Sequence, residues 1–172
     1  MSEGILLPVV ARGTLLPLAE RLARLEEALP QIRVVLEGET DAVAIESTLA
    51  WLLWETMAHA SWCGFYRRVD ERTLAVGPYQ GTMGCLRIDL ARGVCGACAR
   101  TGQIQLVPDV ELFPGHIACD DATRSELVLP VVHQGRVEAV LDLDSMHHGA
   151  FTMDEADRLE ALLAEAFASA RF

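Results

Sequence analysis

Residues 125–145 read SELVLPVVHQGRVEAVLDLDS, and the fold turns on this stretch. Its aliphatic halves, Glu126–Val132 and Val137–Leu143, flank the tetrapeptide His133-Gln134-Gly135-Arg136, which predicts a hairpin of two antiparallel strands. In the second half Ala139, Leu141 and Leu143 alternate with Asp142 and Asp144, so the aliphatic residues line a core face and the aspartates share the opposite one. A solvated strand face would carry the same pattern.

Upstream, Trp62–Val69 and Thr73–Val76 flank the polar turn Asp70–Arg72 and predict a second hairpin that closes before Gly77 and Pro78. Leu86–Leu90 and Ile104–Val107 add two more strands, six in all. Around them lie helices. Leu15, Leu18, Leu22, Leu25 and Leu29 form one apolar stripe, a helix over 15–29 that ends before Pro30. A second helix starts with Thr40 or Asp41 as N-cap and runs to near His59. Gly96–Arg100 reads as a short helix, and a last one opens with Thr152 and Glu155 at capping-box spacing. The expectation is an α+β protein: one domain over 1–172, with an N-terminal helical segment at 1–39 and a core at 40–172, its six-stranded antiparallel sheet flanked by helices.

The 172 residues are 51% hydrophobic and 23% charged, enough apolar material for a core of that size. A net charge of −11 argues against nucleic acid and against an anionic membrane as partner, since both would repel the surface. The apolar stretch Ile5–Val10 contains Pro8 and is far shorter than the about 20 residues of a membrane span, so neither a signal peptide nor an anchor is expected. Five cysteines without an export signal suggest the reducing cytoplasm, where thiols serve chemistry or metal binding.

Cys63 lies in an apolar strand and reads as packing, whereas Cys85, Cys95, Cys98 and Cys119 lie in loop-like sequence. Two kinds of chemistry are open to those four. Cys95-x-x-Cys98 with His116-x-x-Cys119 would suit tetrahedral zinc. Alternatively one thiolate attacks an oxidised substrate and a second thiol resolves the product as a disulfide. Spacing alone does not choose between them.

Longer motifs do. Gly77-Pro78-Tyr79-Gln80-Gly81, Cys85, Arg92-Gly93-Val94-Cys95-Gly96, Val107-Pro108-Asp109-Val110, Phe113-Pro114-Gly115-His116-Ile117-Ala118-Cys119-Asp120, Ser125-Glu126 and Leu141-Asp142-Leu143-Asp144-Ser145 follow one another in this order. With Trp62-Cys63-Gly64-Phe65-Tyr66 upstream, the chain over roughly 40–165 resembles the free methionine-(R)-sulfoxide reductase family, built on the GAF domain. Tyr79 stands where that family usually has Phe, Cys63 where an aliphatic residue is common, and Cys98 is extra.

The resemblance implies an oxidoreductase that returns free L-methionine-(R)-sulfoxide to methionine, an oxidative-stress repair. It makes Cys119 the nucleophile, Cys85 the main resolving thiol and Cys95 a second thiol able to exchange into the disulfide. It makes Glu126, Asp142 and Asp144 the acidic pocket, with Glu126 and Asp144 also catalytic, and sets Trp62 and Tyr66 beside the S-methyl group. It implies no metal and no bound cofactor, only an external dithiol reductant such as thioredoxin, and leaves a homodimer open. A non-enzymatic GAF ligand or redox sensor and a Cys/His structural zinc domain are the alternatives.

These residue types fit that chemistry. Attack on sulfoxide sulfur requires the departing oxygen to be protonated, and clustered, buried carboxyls hold protons. Carboxylates also bind the α-ammonium group that a free amino acid has and a peptide-bound residue lacks. His116 reads as a residue ordering the Cys119 loop, and Cys95, at the start of a short helix, as a thiol favoured by the helix dipole. Asp120 and Asp121 should raise the pKa of a neighbouring thiol, which disfavours the Cys119 thiolate.

One geometric expectation follows. A regular two-residue turn at Gln134-Gly135 would set Glu126 opposite Leu143, on the core face and away from both aspartates. A three-acid pocket therefore requires a three-residue loop, a bulge or a bend in this hairpin.

Overall fold

The computed structural model describes residues 6–172, so Ile5 of the Ile5–Val10 stretch lies outside it. Six strands form: β1 (Trp62–Arg68), β2 (Thr73–Gly81), β3 (Arg87–Asp89), β4 (Gln105–Val107), β5 (Ser125–His133) and β6 (Arg136–Ser145). Four α-helices accompany them: α1 (Leu18–Val35), α2 (Ala42–Thr56), α3 (Gly93–Thr101) and α4 (Met153–Ala166). The sheet runs β3-β2-β1-β6-β5-β4 with every neighbouring pair antiparallel. None of the helices among the described residues is long and apolar enough to cross a membrane.

Strand alternation sends side chains to two separate apolar layers. Cys63, Phe65, Leu127, Leu129, Leu141 and Leu143 face α1, α2 and α4 and bury the larger core with them. Trp62, Tyr66, Val128 and Val140 face the other way, against Val94, Cys95, Cys98 and Ala99 of α3. The acidic residues of β5 and β6 belong to this second, thinner layer, which α3 and two loops cover.

Local signals set the helix starts. The Asp41 carboxylate accepts from the Ala44 N–H at 2.9 Å, and Thr152 and Glu155 form the reciprocal capping box of α4. Several boundaries differ from the sequence expectation. Helix α1 begins at Leu18 and passes through Pro30 to Val35, because the buried stripe of Leu25, Ala28 and Leu29 continues to Ile32; packing of that turn outweighs the hydrogen bond the proline removes. The second helix ends at Thr56 rather than near His59, its chain turning away at Met57. Nor does Gly77-Pro78 end β2. The register with β1 shifts between Gly64 and Tyr66, so the dipeptide forms a bulge beyond the reach of β3, whose pairing stops at Ala75.

The β5–β6 hairpin holds the decisive irregularity. Its turn has two residues, Gln134 at φ 50° and Gly135 at φ 79°, as a tight antiparallel hairpin requires. His133 pairs with Arg136 and Val132 with Val137, but Val131 pairs with Ala139, which leaves Glu138 as an extra residue. This bulge sets Glu126 opposite Asp144 and Val128 opposite Asp142. Without it Glu126 would face the helical core.

Candidate active site

On the α3 side of the sheet three carboxyl groups converge. Glu126 is 6% exposed and Asp142 5%, while Asp144 is half-buried. Strand β1 runs alongside, pairing Trp62 with Asp144 and Gly64 with Asp142. Position 64 must be glycine, because a Cβ there would lie 2.2 Å from the Cβ of Tyr79. The Asp142 Oδ1 atom is buried without a hydrogen-bond partner. Among the described residues, no arginine lines this pocket.

Burial is the first reason these carboxyls hold their protons above the usual carboxylate range. Mutual repulsion is the second: Asp142 and Asp144 act on Glu126, and Asp142 and Asp120 on Asp144. At least one acid of the cluster is therefore neutral near pH 7 and able to donate.

The thiols divide into two groups. Cys85, on the β2–β3 loop, and Cys119, on the long β4–β5 loop, are joined in a disulfide with a Cα–Cα distance of 5.3 Å, and both are half-buried. Cys63, Cys95 and Cys98 are free and buried. Cys63 sits in the helical core, and Cys98 donates weakly to the Val128 carbonyl at 3.7 Å. Cys95 Sγ lies 3.9 Å from Glu126 Oε1. Its position in the first turn of α3 does not make it acidic as the sequence suggested: burial, then Asp142 and Glu126, push its pKa well up. Carboxylates a few ångströms away outweigh a nine-residue helix's dipole.

The four residues of the zinc pattern are not brought together, since Cys119 is bonded to Cys85 and Cys98 turns to the Val128 carbonyl. Among the described residues, Cys95, Glu126 and Asp142 instead have donor atoms within 4.8 Å of one another. The Asp120 oxygens accept from the Ala122 N–H at 2.9 Å and the Thr82 hydroxyl at 2.8 Å, bonds that favour its ionised form and tie the two cysteine loops to each other.

Trp62 and Tyr66 line the pocket and stack with ring centroids 5.5 Å apart. Tyr79, which the sequence marked only as part of a motif, stacks on Trp62 at 5.2 Å. The indole N–H donates to the Thr82 carbonyl at 3.1 Å. Gly84 lets the Cys85 loop close on this wall, since a Cβ there would approach the Tyr66 hydroxyl to 2.8 Å. His116 also lines the pocket, its Nε2 3.7 Å from Glu126 Oε2. Sequence reasoning treated it as a loop residue; its place three positions before Cys119 was the available signal, and only the folded loop shows what it faces.

The GAF domain family matches residues 24–170. A free methionine-R-sulfoxide reductase of Escherichia coli is 42% identical over 131 residues, covering 76% of this chain and 79% of that protein. A solved structure described as that of the GAF domain superposes with a TM-score of 0.83 at 34% identity, covering 88% of this chain and 90% of the other. The structure of free methionine-R-sulfoxide reductase from Neisseria meningitidis in complex with its substrate gives 0.80 at 37% identity over 93% of this chain and 96% of that one. By sequence and by fold, the chain belongs to the free methionine-R-sulfoxide reductases, oxidoreductases of the GAF domain family.

Proposed function

We propose that this enzyme reduces free L-methionine-(R)-sulfoxide through a Cys119 sulfenic acid that closes to the Cys85–Cys119 disulfide. One observation carries the substrate assignment: a buried acid cluster with no arginine of its own, beside the disulfide. Such a cluster is complemented by a cation, and the α-ammonium of a free amino acid is one. The Trp62–Tyr66 wall is suited to the S-methyl group.

The Cys119 thiolate forms a bond to the substrate sulfur while a neutral acid of the Glu126–Asp142–Asp144 cluster protonates the oxygen. The oxygen passes to Cys119 as sulfenic acid, and methionine leaves with its sulfur electron pair restored. Cys85 then attacks the Cys119 sulfur, releasing water and forming the disulfide. A thioredoxin-like dithiol takes up that disulfide by exchange, attacking a half-buried sulfur. Cys95 is buried and lies against Glu126, so it serves as an exchange thiol only after the Cys85 loop opens. No metal or bound cofactor enters the cycle, and a reducing cytoplasm is its natural setting.

The test is turnover of racemic free methionine sulfoxide with a thioredoxin system and chiral analysis of what remains. The S form alone should survive. Cys119→Ser should lose all turnover even with a strong small dithiol, and near-normal turnover in that variant would overturn the assignment. Cys85→Ser should keep the first chemical turnover while thioredoxin-driven recycling fails.

A further inference from the structure

The acid that protonates the departing oxygen must itself be reprotonated, and the pocket offers few routes. Around Glu126 lie Cys95 of α3, Asp142 and Asp144 of β6 and His116 of the Cys119 loop. Cys95 and Asp142 are buried. Asp144 is half-buried, but it belongs to the cluster that, under the proposed function, the substrate's ammonium group fills. His116 has a side chain 17% exposed and an Nε2 atom 3.7 Å from Glu126 Oε2.

The imidazole is held in place by its backbone. The His116 N–H donates to the Phe113 carbonyl at 3.1 Å, and the preceding Gly115 carbonyl accepts from Gly93 N–H, at the start of α3, at 3.1 Å. Ile117 packs over Gly93, where a Cβ would come within 3.1 Å of it. The ring therefore sits between Glu126 and solvent.

We propose that His116 reprotonates Glu126, acting as a positioning residue that carries protons one at a time between solvent and the buried carboxyl. The inference rests on the reading of Glu126 as an acid of the reaction. Glu126 gives its proton to the sulfoxide oxygen as the Cys119–sulfur bond forms and the sulfur–oxygen bond breaks. Its carboxylate takes a proton from the His116 imidazolium. The neutral imidazole takes one back from solvent, replacing the proton that Cys119 released on ionising, so the balance closes. Burial lowers the pKa of His116 and raises that of Glu126, which brings the two groups toward a common proton affinity.

The experiment is multiple-turnover reduction with a saturating small dithiol as a function of pH, beside single-turnover reduction by the pre-reduced enzyme, in wild type, His116→Gln, Glu126→Gln and the double variant. His116→Gln should slow multiple turnover about 10- to 100-fold, leave the first turnover, which uses the proton Glu126 already holds, and substrate affinity each within about twofold, and recover part of its rate with added imidazole. In the Glu126→Gln background the same change should add less than about twofold, since the relay then serves nothing. An unchanged rate and pH profile in His116→Gln would overturn the proposal. So would a loss that imidazole does not relieve and that multiplies with Glu126→Gln, which marks a loop-ordering role. Full activity of Glu126→Gln would instead remove the acid assignment itself, a distinct failure.

Discussion

Buried acids occur on both faces of the sheet, and they are balanced in opposite ways. On the helical face Glu155 meets Arg21 at 3.3 Å and Glu46 meets Arg67 at 3.2 Å. Beside the first pair His59 stays neutral, its pKa driven down to about 3 by burial and then by Arg21. On the α3 face Glu126, Asp142 and Asp144 have a thiol, aromatic rings, the His116 imidazole and one another for neighbours, and no arginine. The first acids arrive with their cations in the same chain and hold elements together. Under the proposed function, the second set is completed by the cation that the substrate brings.

Breaking the first arrangement should cost folding. Arg21, from α1, also donates to the Ala150 carbonyl before α4, and its loss would leave Glu155, 1% exposed, without a counter-charge. Arg21→Ala should lower stability by about 3–5 kcal/mol, read as a shift of the urea midpoint, while the pocket geometry is kept.

Glu46 tests the same face by titration. Burial pushes its pKa from 4.5 to about 7, with Arg67 only partly opposing the shift. The folded form thus binds more protons at Glu46 than the unfolded chain across that window, so this group's contribution to stability is greatest below pH 4.5 and is lost as pH rises through 7. The loss amounts to about 3 kcal/mol by linkage. Glu46→Gln should flatten this slope and be the more stable protein at pH 8, leaving Arg67, a third exposed, to solvent. A parallel pH profile for the two proteins would show that Glu46 is ionised throughout.

The unbalanced face should respond in function rather than in stability. Asp142→Asn removes a buried acid whose Oδ1 has no partner, so the midpoint should hold or rise. Catalytic efficiency on free methionine-(R)-sulfoxide should fall about 100-fold. Against an N-acetylated substrate, which brings no ammonium, wild type and variant should differ little. A large stability loss with unchanged selectivity would assign Asp142 to the structural class.

The smallest effect belongs to Cys98, which shares α3 with Cys95 but touches no acid. Among the described residues its polar contact is the 3.7 Å approach to the Val128 carbonyl. Cys98→Ala should cost about 1 kcal/mol or less and leave turnover unchanged, whereas Cys95→Ala should alter the titration of the acid cluster through Glu126.

Much of this was legible in the residues themselves. The alternation of Ala139, Leu141 and Leu143 with Asp142 and Asp144, the Gln134-Gly135 turn and the Thr152–Glu155 box each encode a local geometry with a short-range cause. The spaced cysteine and acidic motifs carried the family resemblance. What local rules missed were the places where distant packing prevails: Pro30 inside α1, held by the burial of Ile32, and Gly77-Pro78 inside β2, held by pairing with β1.

The sequence by itself determined which residues could react and that Asp142 and Asp144 would share a face, because side-chain chemistry and the twofold period of a strand are local properties. Only the tertiary structure decided whether they would meet. The extra residue Glu138 turns Glu126 to the face of Asp142 and Asp144, and the folded loops bring Cys85 to Cys119 across 34 positions. The same closure places Cys95 among acids that make its thiol less acidic, against the pull of its own helix. Register and burial depend on the summed packing of the whole sheet, and no short stretch of residues contains that sum.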